Sequence, residues 1–125
     1  MKVSQLIGEI GRKRGQETEN RFWRAFAYKK EVPFSQIYEP SWFYEIYQAS
    51  AEKERKGIDV IIRTDIGKIF LNIKSSQRGK KEHQRRYGDW PIGVVVINHD
   101  DSDEKIRQKT FAASQILRQK CLQRR

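Results

Sequence analysis

A chain of 125 residues carrying 26 Lys+Arg against 16 Asp+Glu has a formal net charge of +10, which suits a single domain over 1–125 and draws polyanions, nucleic acid foremost. Hydrophobic residues make up 37% and aromatics 11%, so the charged fraction of 34% does not signal disorder. The one cysteine, Cys121, excludes an intrachain disulfide and a Cys-based zinc site, and the longest apolar run, near Val94–Ile97, falls far short of the roughly 20 residues of a membrane helix; with no signal-peptide pattern at the start, a reducing, cytoplasmic setting without membrane attachment is expected.

In chain order, Ser4 is placed to cap a short helix carrying Leu6, Ile7 and Ile10, loosened by Gly11-Arg12-Lys13-Arg14-Gly15. From Gln16 to about Tyr28 the helical signal is strong: Phe22, Trp23, Phe26 and Ala27 form one apolar stripe. Glu19 projects beside that stripe, whereas Glu17 lies about 200° away around the helix. Pro33 and Pro40 bracket an irregular stretch. Trp42–Ala49, rich in aromatics and Ile, favours a strand. Glu52–Lys56 reads as a loop or turn, Ile58–Thr64 as a strand, Asp65-Ile66-Gly67-Lys68 as a turn, and Ile69–Lys74 as the returning strand. Ser75–Lys81 is a polar, basic connection and Lys81–Tyr87 a short helix. Ile92–Asn98 has the near-continuous apolar run of a strand buried on both faces. Asp101 or Ser102 caps a last helix whose Ile106, Thr110, Ala113, Leu117 and Cys121 keep a 3.6-residue spacing. Helix, strand, hairpin, helix, strand, helix is the order of an α/β layered domain with a mixed sheet.

The hairpin concentrates the chemistry. With Ile66 and Gly67 as a two-residue turn, Asp59 faces Lys74, Ile61 faces Asn72 and Arg63 faces Phe70. Asp59, Asn72 and Lys74 then share one face. The opposite face, with Ile58, Val60, Ile62, Ile69, Leu71 and Ile73, is apolar. A carboxylate, an amide and an amine therefore converge at the open end of a hairpin whose back is core. Two readings account for that cluster. One is an ordinary Asp59–Lys74 salt bridge on a half-exposed sheet. The other is metal-assisted phosphodiester hydrolysis, in which a carboxylate and a second oxygen hold a hard divalent cation and a lysine orients or deprotonates the attacking water or stabilises charge on the phosphate.

Gly57-Ile58-Asp59-Val60-Ile61-Ile62, followed by Phe70-Leu71-Asn72-Ile73-Lys74-Ser75-Ser76, resembles the PD-(D/E)xK nuclease superfamily, closest to its Holliday-junction-resolvase-like and restriction-endonuclease-like branches. Gly15-Gln16-Glu17-Thr18-Glu19 is similar to the Gly-x-x-x-Glu of the family's first helix. The resemblance spans roughly Gly15 to Asn98. It implies a restriction-endonuclease-like αβββαβ core, a central mixed sheet flanked by helices, with one extra C-terminal helix. It implies a DNA endonuclease that uses Mg²⁺, or Mn²⁺, with Asp59 as principal metal ligand, Lys74 as catalytic lysine, the backbone carbonyl of Ile73 as a further ligand and Glu19 as the outer carboxylate. A nuclease of this size suits a homodimer in which each protomer cuts one strand.

Asn72 departs from the family pattern, which has Asp or Glu there. An amide oxygen still ligates a divalent cation but brings no charge. Three explanations stand open: a site that tolerates the amide, with Glu54 or Glu19 supplying charge; a catalytically inactive protein that binds nucleic acid without cutting it; or an engineered substitution. Beyond Lys74, the cations Arg78, Lys80, Lys81, Arg85 and Arg86 are offset by Glu82 alone and are expected along a nucleic-acid backbone, with Ser75, Ser76 and Gln84 adding neutral contacts. Arg12-Lys13-Arg14 is placed to flank the groove. The seven cations from Lys105 to Arg125, with no acid among them, form either a second binding face or a solvated helix surface. His83 and His99 lack metal-ligand spacing to each other and read as surface or locally hydrogen-bonded.

Overall fold

The structure, a computed structural model, describes residues 16–26, 39–87 and 91–123. Its elements are helix α1 (16–25), strand β1 (Phe43–Gln48), a short helix α2 (Ala51–Arg55), the hairpin β2 (Val60–Thr64) and β3 (Gly67–Lys74), helix α3 (Gln77–Tyr87), strand β4 (Ile92–Val96) and the long helix α4 (Asp103–Gln123). The strands form one four-stranded sheet in the order β1-β2-β3-β4. β1–β2 and β2–β3 are antiparallel, and β3–β4 is parallel through the α3 crossover. The chain is thus α/β with a mixed sheet. The expected helix around Leu6–Ile10, the Arg12–Arg14 cations, Gly15, Ala27, Tyr28, Pro33, Arg124 and Arg125 lie outside the described residues. Among the described residues no helix is long and apolar enough to cross a membrane.

One face of the sheet carries the main core. Phe22 and Ala25 of α1 with Phe26 just after it, Val60, Ile62, Ile69, Leu71 and Ile73 of the hairpin, Val95 and Ile97, and Ile106 and Leu117 of α4 form one buried cluster. The opposite face holds a smaller cluster of Ala49, Ile58 and Ile61, with Tyr47, Phe70 and Ile92 against it. Ile58 belongs to this second face, because it precedes the strand and does not follow the alternation of β2. Ser102 caps α4, its Oγ accepting from the Lys105 N–H at 3.1 Å. The buried stripe of that helix is Ile106, Thr110, Ser114 and Leu117, with the two hydroxyls bonded back to the Ile106 and Thr110 carbonyls. Cys121 is exposed; the stripe ends one turn earlier than its spacing suggests.

Three other expectations are corrected. The hairpin turns at Asp65-Ile66, with Thr64 opposite Gly67 and Ile61 opposite Phe70. This differs from the Ile66-Gly67 turn by a two-residue slide, which keeps the side chains of β2 and β3 on their predicted faces because the strand period is two. Thr64 Oγ1 fixes the turn by donating to the Gly67 carbonyl at 2.8 Å and accepting from the Ile66 N–H at 3.3 Å. Glu52–Lys56 is not a loop: Ser50 caps α2 by accepting from the Lys53 N–H at 3.3 Å. At the other end the Gly57 N–H donates to the Glu54 carbonyl and the Ile58 N–H to that of Lys53, the paired bonds of a Schellman ending, with Gly57 at φ +84°. Ser75–Lys81 is largely helical, since α3 begins at Gln77. β4 is an edge strand, half-buried at Ile92, Gly93 and Val94 and buried at Val95 and Val96, with α3 and α4 both packed against it.

Candidate functional site

The site forms where the sheet opens. β3 pairs with β2 only as far as Leu71, so Asn72, Ile73 and Lys74 continue along β4 with no β2 residue opposite. The Ile73 N–H on that open edge donates to Asp59 Oδ2 at 2.8 Å, so a side chain takes the place of a missing ladder partner. Asp59 is itself held by its N–H to the Leu71 carbonyl at 2.9 Å and by its carbonyl, which accepts from Ala49. Continuing the register places Asp59 opposite Asn72, not opposite Lys74. Asp59 is therefore not closed into a simple ion pair with Lys74; backbone holds one carboxylate oxygen and the other is left to the cleft.

That cleft has a volume of about 520 Å³ and gathers residues from five segments. α1 contributes Thr18 and Glu19, α2 Glu54, the segment before β2 Gly57 and Asp59, β3 Asn72, Ile73 and Lys74, and the following turn and α3 Ser75, Glu82, His83, Arg86 and Tyr87. Carboxylate oxygens of Glu19, Glu54 and Asp59 all lie within 4.8 Å of one another. Glu19 rather than Glu17 joins this cluster. Glu17 lines an adjoining pocket of about 310 Å³ with Arg21, Ile97 and His99, and Thr18 and Ser75 line both.

The electrostatics of the cleft oppose those of the chain. Its lining holds the carboxylates of Glu19, Glu54, Asp59 and Glu82 against the cations of Lys74 and Arg86, inside a chain of net charge +10. Burial pushes the Asp59 carboxyl above its ordinary value, and the Ile73 N–H and Lys74 only partly offset this. Glu19 is also raised, first by burial, then by the negative charges of Asp59 and Glu54, with Lys74 pulling the other way. The protein thus holds under-neutralised carboxylates close together, an arrangement that a bound cation would relieve.

Asn72 is 4% exposed. Its Nδ2 donates to the Gly57 carbonyl at 3.0 Å, and its Oδ1, equally buried, has no hydrogen-bond partner. His83, which its sequence context left as a surface or locally bonded residue, is buried, and its Nε2 lies 2.9 Å from the same carbonyl. A carbonyl oxygen only accepts, so Nε2 carries the proton. His99 is exposed in the adjoining pocket. Of the cations after Lys74, Arg86 lines the cleft, while Arg78, Lys80, Lys81 and Arg85 sit on α3 outside its lining, as does Gln84. Arg78 faces Glu82 at 3.8 Å. Ser76 caps α3, its Oγ accepting from the Gly79 N–H at 3.1 Å.

Glu54 and His83 are the site residues that no motif isolates. Glu54 enters the cluster only because α2 is a helix. Its cap signals, Ser50 before it and Gly57 after it, were the local evidence that could have placed it. No protein-family model matches the chain, and no curated protein or solved structure matches it either.

Proposed function

We propose that this protein is a metal-dependent nuclease that hydrolyses phosphodiester bonds of DNA, on a restriction-endonuclease-like core of the PD-(D/E)xK kind. The observation that carries the reading is the convergence of Glu19, Glu54 and Asp59 oxygens within 4.8 Å beside Lys74, in a chain whose overall charge is +10. A negatively charged cleft in a basic protein does not suit a polyanion unless a cation lies between them.

The donor set fits a hard divalent ion. It consists of oxygens only, carboxylates with one amide, and the buried Asn72 Oδ1 otherwise lacks a partner. Asp59, Asn72, Glu19 and Glu54 would hold Mg²⁺ or Mn²⁺, with the Ile73 carbonyl as a further oxygen. Bound there, the ion would polarise the phosphate and lower the pKa of a water. The chain's own groups supply the rest. Asp59 is fixed by the Ile73 N–H, so its second oxygen keeps one direction. Lys74, at the end of β3 in the same cleft, is placed to orient the attacking water or to stabilise charge on the phosphate. Arg86 and Ser75 face the groove and would hold flanking phosphates, with Arg78, Lys80, Lys81 and Arg85 of α3 extending the positive field. The neighbouring pocket at His99, which shares Thr18 and Ser75 with the cleft, would take a further stretch of a polymer.

The test is cleavage of branched, duplex and single-stranded DNA with Mg²⁺, with Mn²⁺ and with chelator. Asp59→Ala is expected to lower cleavage by about a thousandfold or more while leaving DNA binding within a few-fold, because the α3 cations remain. Equal loss of binding and cleavage would make Asp59 a structural residue. A second reading, binding without cutting, is favoured by the uncharged Asn72. Salt-sensitive binding with no cleavage in either metal would decide for it.

A further inference from the structure

Asn72 stands where the resemblance has an acid, and the local geometry gives a reason for the amide. The Schellman ending of α2 puts Gly57 at φ +84° and turns its carbonyl toward the cleft wall. Two donors converge on that oxygen: Asn72 Nδ2 at 3.0 Å and His83 Nε2 at 2.9 Å. The amide orientation follows, because only the NH₂ end of Asn72 can face a carbonyl. Oδ1 is therefore left without a partner in the wall of a cleft that holds three carboxylates. An unsatisfied buried acceptor has given up water without gaining a donor, so retaining it calls for a use.

Resting on the metal-dependent reading above, we infer that position 72 is built for an amide: the Gly57 carbonyl locks Asn72 through Nδ2, and Oδ1 is presented as a neutral oxygen ligand. Asn72 is then not a weakened carboxylate. An Asp at 72 would have no hydrogen to offer, and would set an anionic oxygen against the Gly57 oxygen that now accepts from the amide. The charge of the site comes from Glu54 on α2, with Glu19 and Asp59, and position 72 contributes direction. Gly57 and His83 are positioning residues in this arrangement.

The two halves of the inference are read by two variants. Mn²⁺ binding is measured by calorimetry, and thermal midpoints are measured in chelator, for the wild-type chain, Asn72→Leu and Asn72→Asp. Asn72→Leu keeps the shape, removes the orphan oxygen and leaves Gly57 paired with His83. It should fold with a midpoint near that of the wild type and bind Mn²⁺ at least about tenfold more weakly. Unchanged Mn²⁺ affinity in this variant overturns the ligand role. Asn72→Asp should lower the metal-free midpoint, and the loss should persist when Glu54→Gln is added. A loss that disappears in the Glu54→Gln background would be charge crowding, and an Asp variant as stable as the wild type would mean an ordinary carboxylate position; either overturns the amide lock. A wild-type chain that does not bind Mn²⁺ at millimolar concentration overturns the metal-dependent reading and the ligand role with it, while the metal-free midpoints still decide the lock.

Discussion

β2 is flanked by two aspartates that the chain treats in opposite ways. At its far end Asp65 is gripped by Arg118 of α4, which donates from Nε at 2.9 Å and from a terminal nitrogen at 2.7 Å, one bond to each oxygen. Those bonds hold the Asp65 carboxyl below its ordinary value. At the near end Asp59 is raised by burial, has one backbone donor, and faces two further carboxylates within 4.8 Å. Each end also has a glycine at positive φ, Gly57 at +84° and Gly67 at +114°. The Asp65 end is a tied joint between hairpin and helix. At the Asp59 end burial leaves carboxylate oxygens under-neutralised, the arrangement on which the proposed metal site rests.

The strongest way to break the comparison is to neutralise each aspartate in turn. Asp59→Asn should lower cleavage by about a thousandfold or more, yet raise the metal-free melting temperature, because a half-buried charge beside Glu19 and Glu54 is removed. Asp65→Asn should do the reverse, lowering the melting temperature through the lost Arg118 fork and leaving cleavage within about twofold. Melting curves in chelator and single-turnover cleavage rates separate the two. If both variants lose stability, Asp59 is a joint as well.

The glycines sharpen the same contrast. A Cβ at Gly57 would come within 2.8 Å of His83 Nε2 and of the Tyr87 ring, whereas one at Gly67 would meet nothing within 4 Å. Both alanine variants carry a left-handed conformation that costs about 1–3 kcal/mol. Only Gly57→Ala adds crowding against α3, so it should be the less stable by chemical denaturation and should also weaken Mn²⁺ binding. Gly67→Ala should leave the metal affinity unchanged. Equal destabilisation would mean that α3 yields freely and that the Gly57 carbonyl is not held in place.

The alternation of Val60 and Ile62 with Ile69, Leu71 and Ile73 made the hairpin and its core face legible, because a one-residue slip would expose them all. The turn itself was not fixed by that pattern, since a slide of two residues preserves both faces; Thr64 decided it, through bonds made by its side chain. That slide moved Asp59 from opposite Lys74 to opposite Asn72, which changes an ion-pair reading into an oxygen cluster. Glu19 was legible as the acid beside the Phe22 stripe. Glu54 was legible only as one of two acids able to supply charge beside Asn72; its position was not, because α2 has five residues, too short for an apolar period, and declares itself only by its caps. His83 was hidden for a different reason: its neighbours on α3, Glu82 and Gln84, are polar, and what buries it is the Gly57 corner, 26 residues earlier in the chain.

The smallest effect expected lies in the acid dependence of the metal-free protein. Glu19 and Asp59 titrate above their ordinary values in the folded state and at those values in the unfolded chain. Between the two, the folded state binds more protons, so stability falls as pH rises through a window lying above 4.5 for Glu19 and above 3.8 for Asp59. Asp65 has the opposite sign: its contribution is present above 3.8 and is lost as pH falls below that value. Asp101 behaves like Asp65, because burial pushes it up but the Lys109 bond and the Asn98 N–H outweigh that push. Glu19→Gln should therefore flatten the melting-temperature profile on the upper side and leave the acid limb intact, whereas Asp65→Asn should flatten only the acid limb. Saturating Mn²⁺ on the wild-type chain should reverse the upper slope, since the ion competes with protons for the same oxygens. A Glu19→Gln profile parallel to the wild type throughout would show that Glu19 is solvated like any helix-surface acid, and would remove it from the cluster.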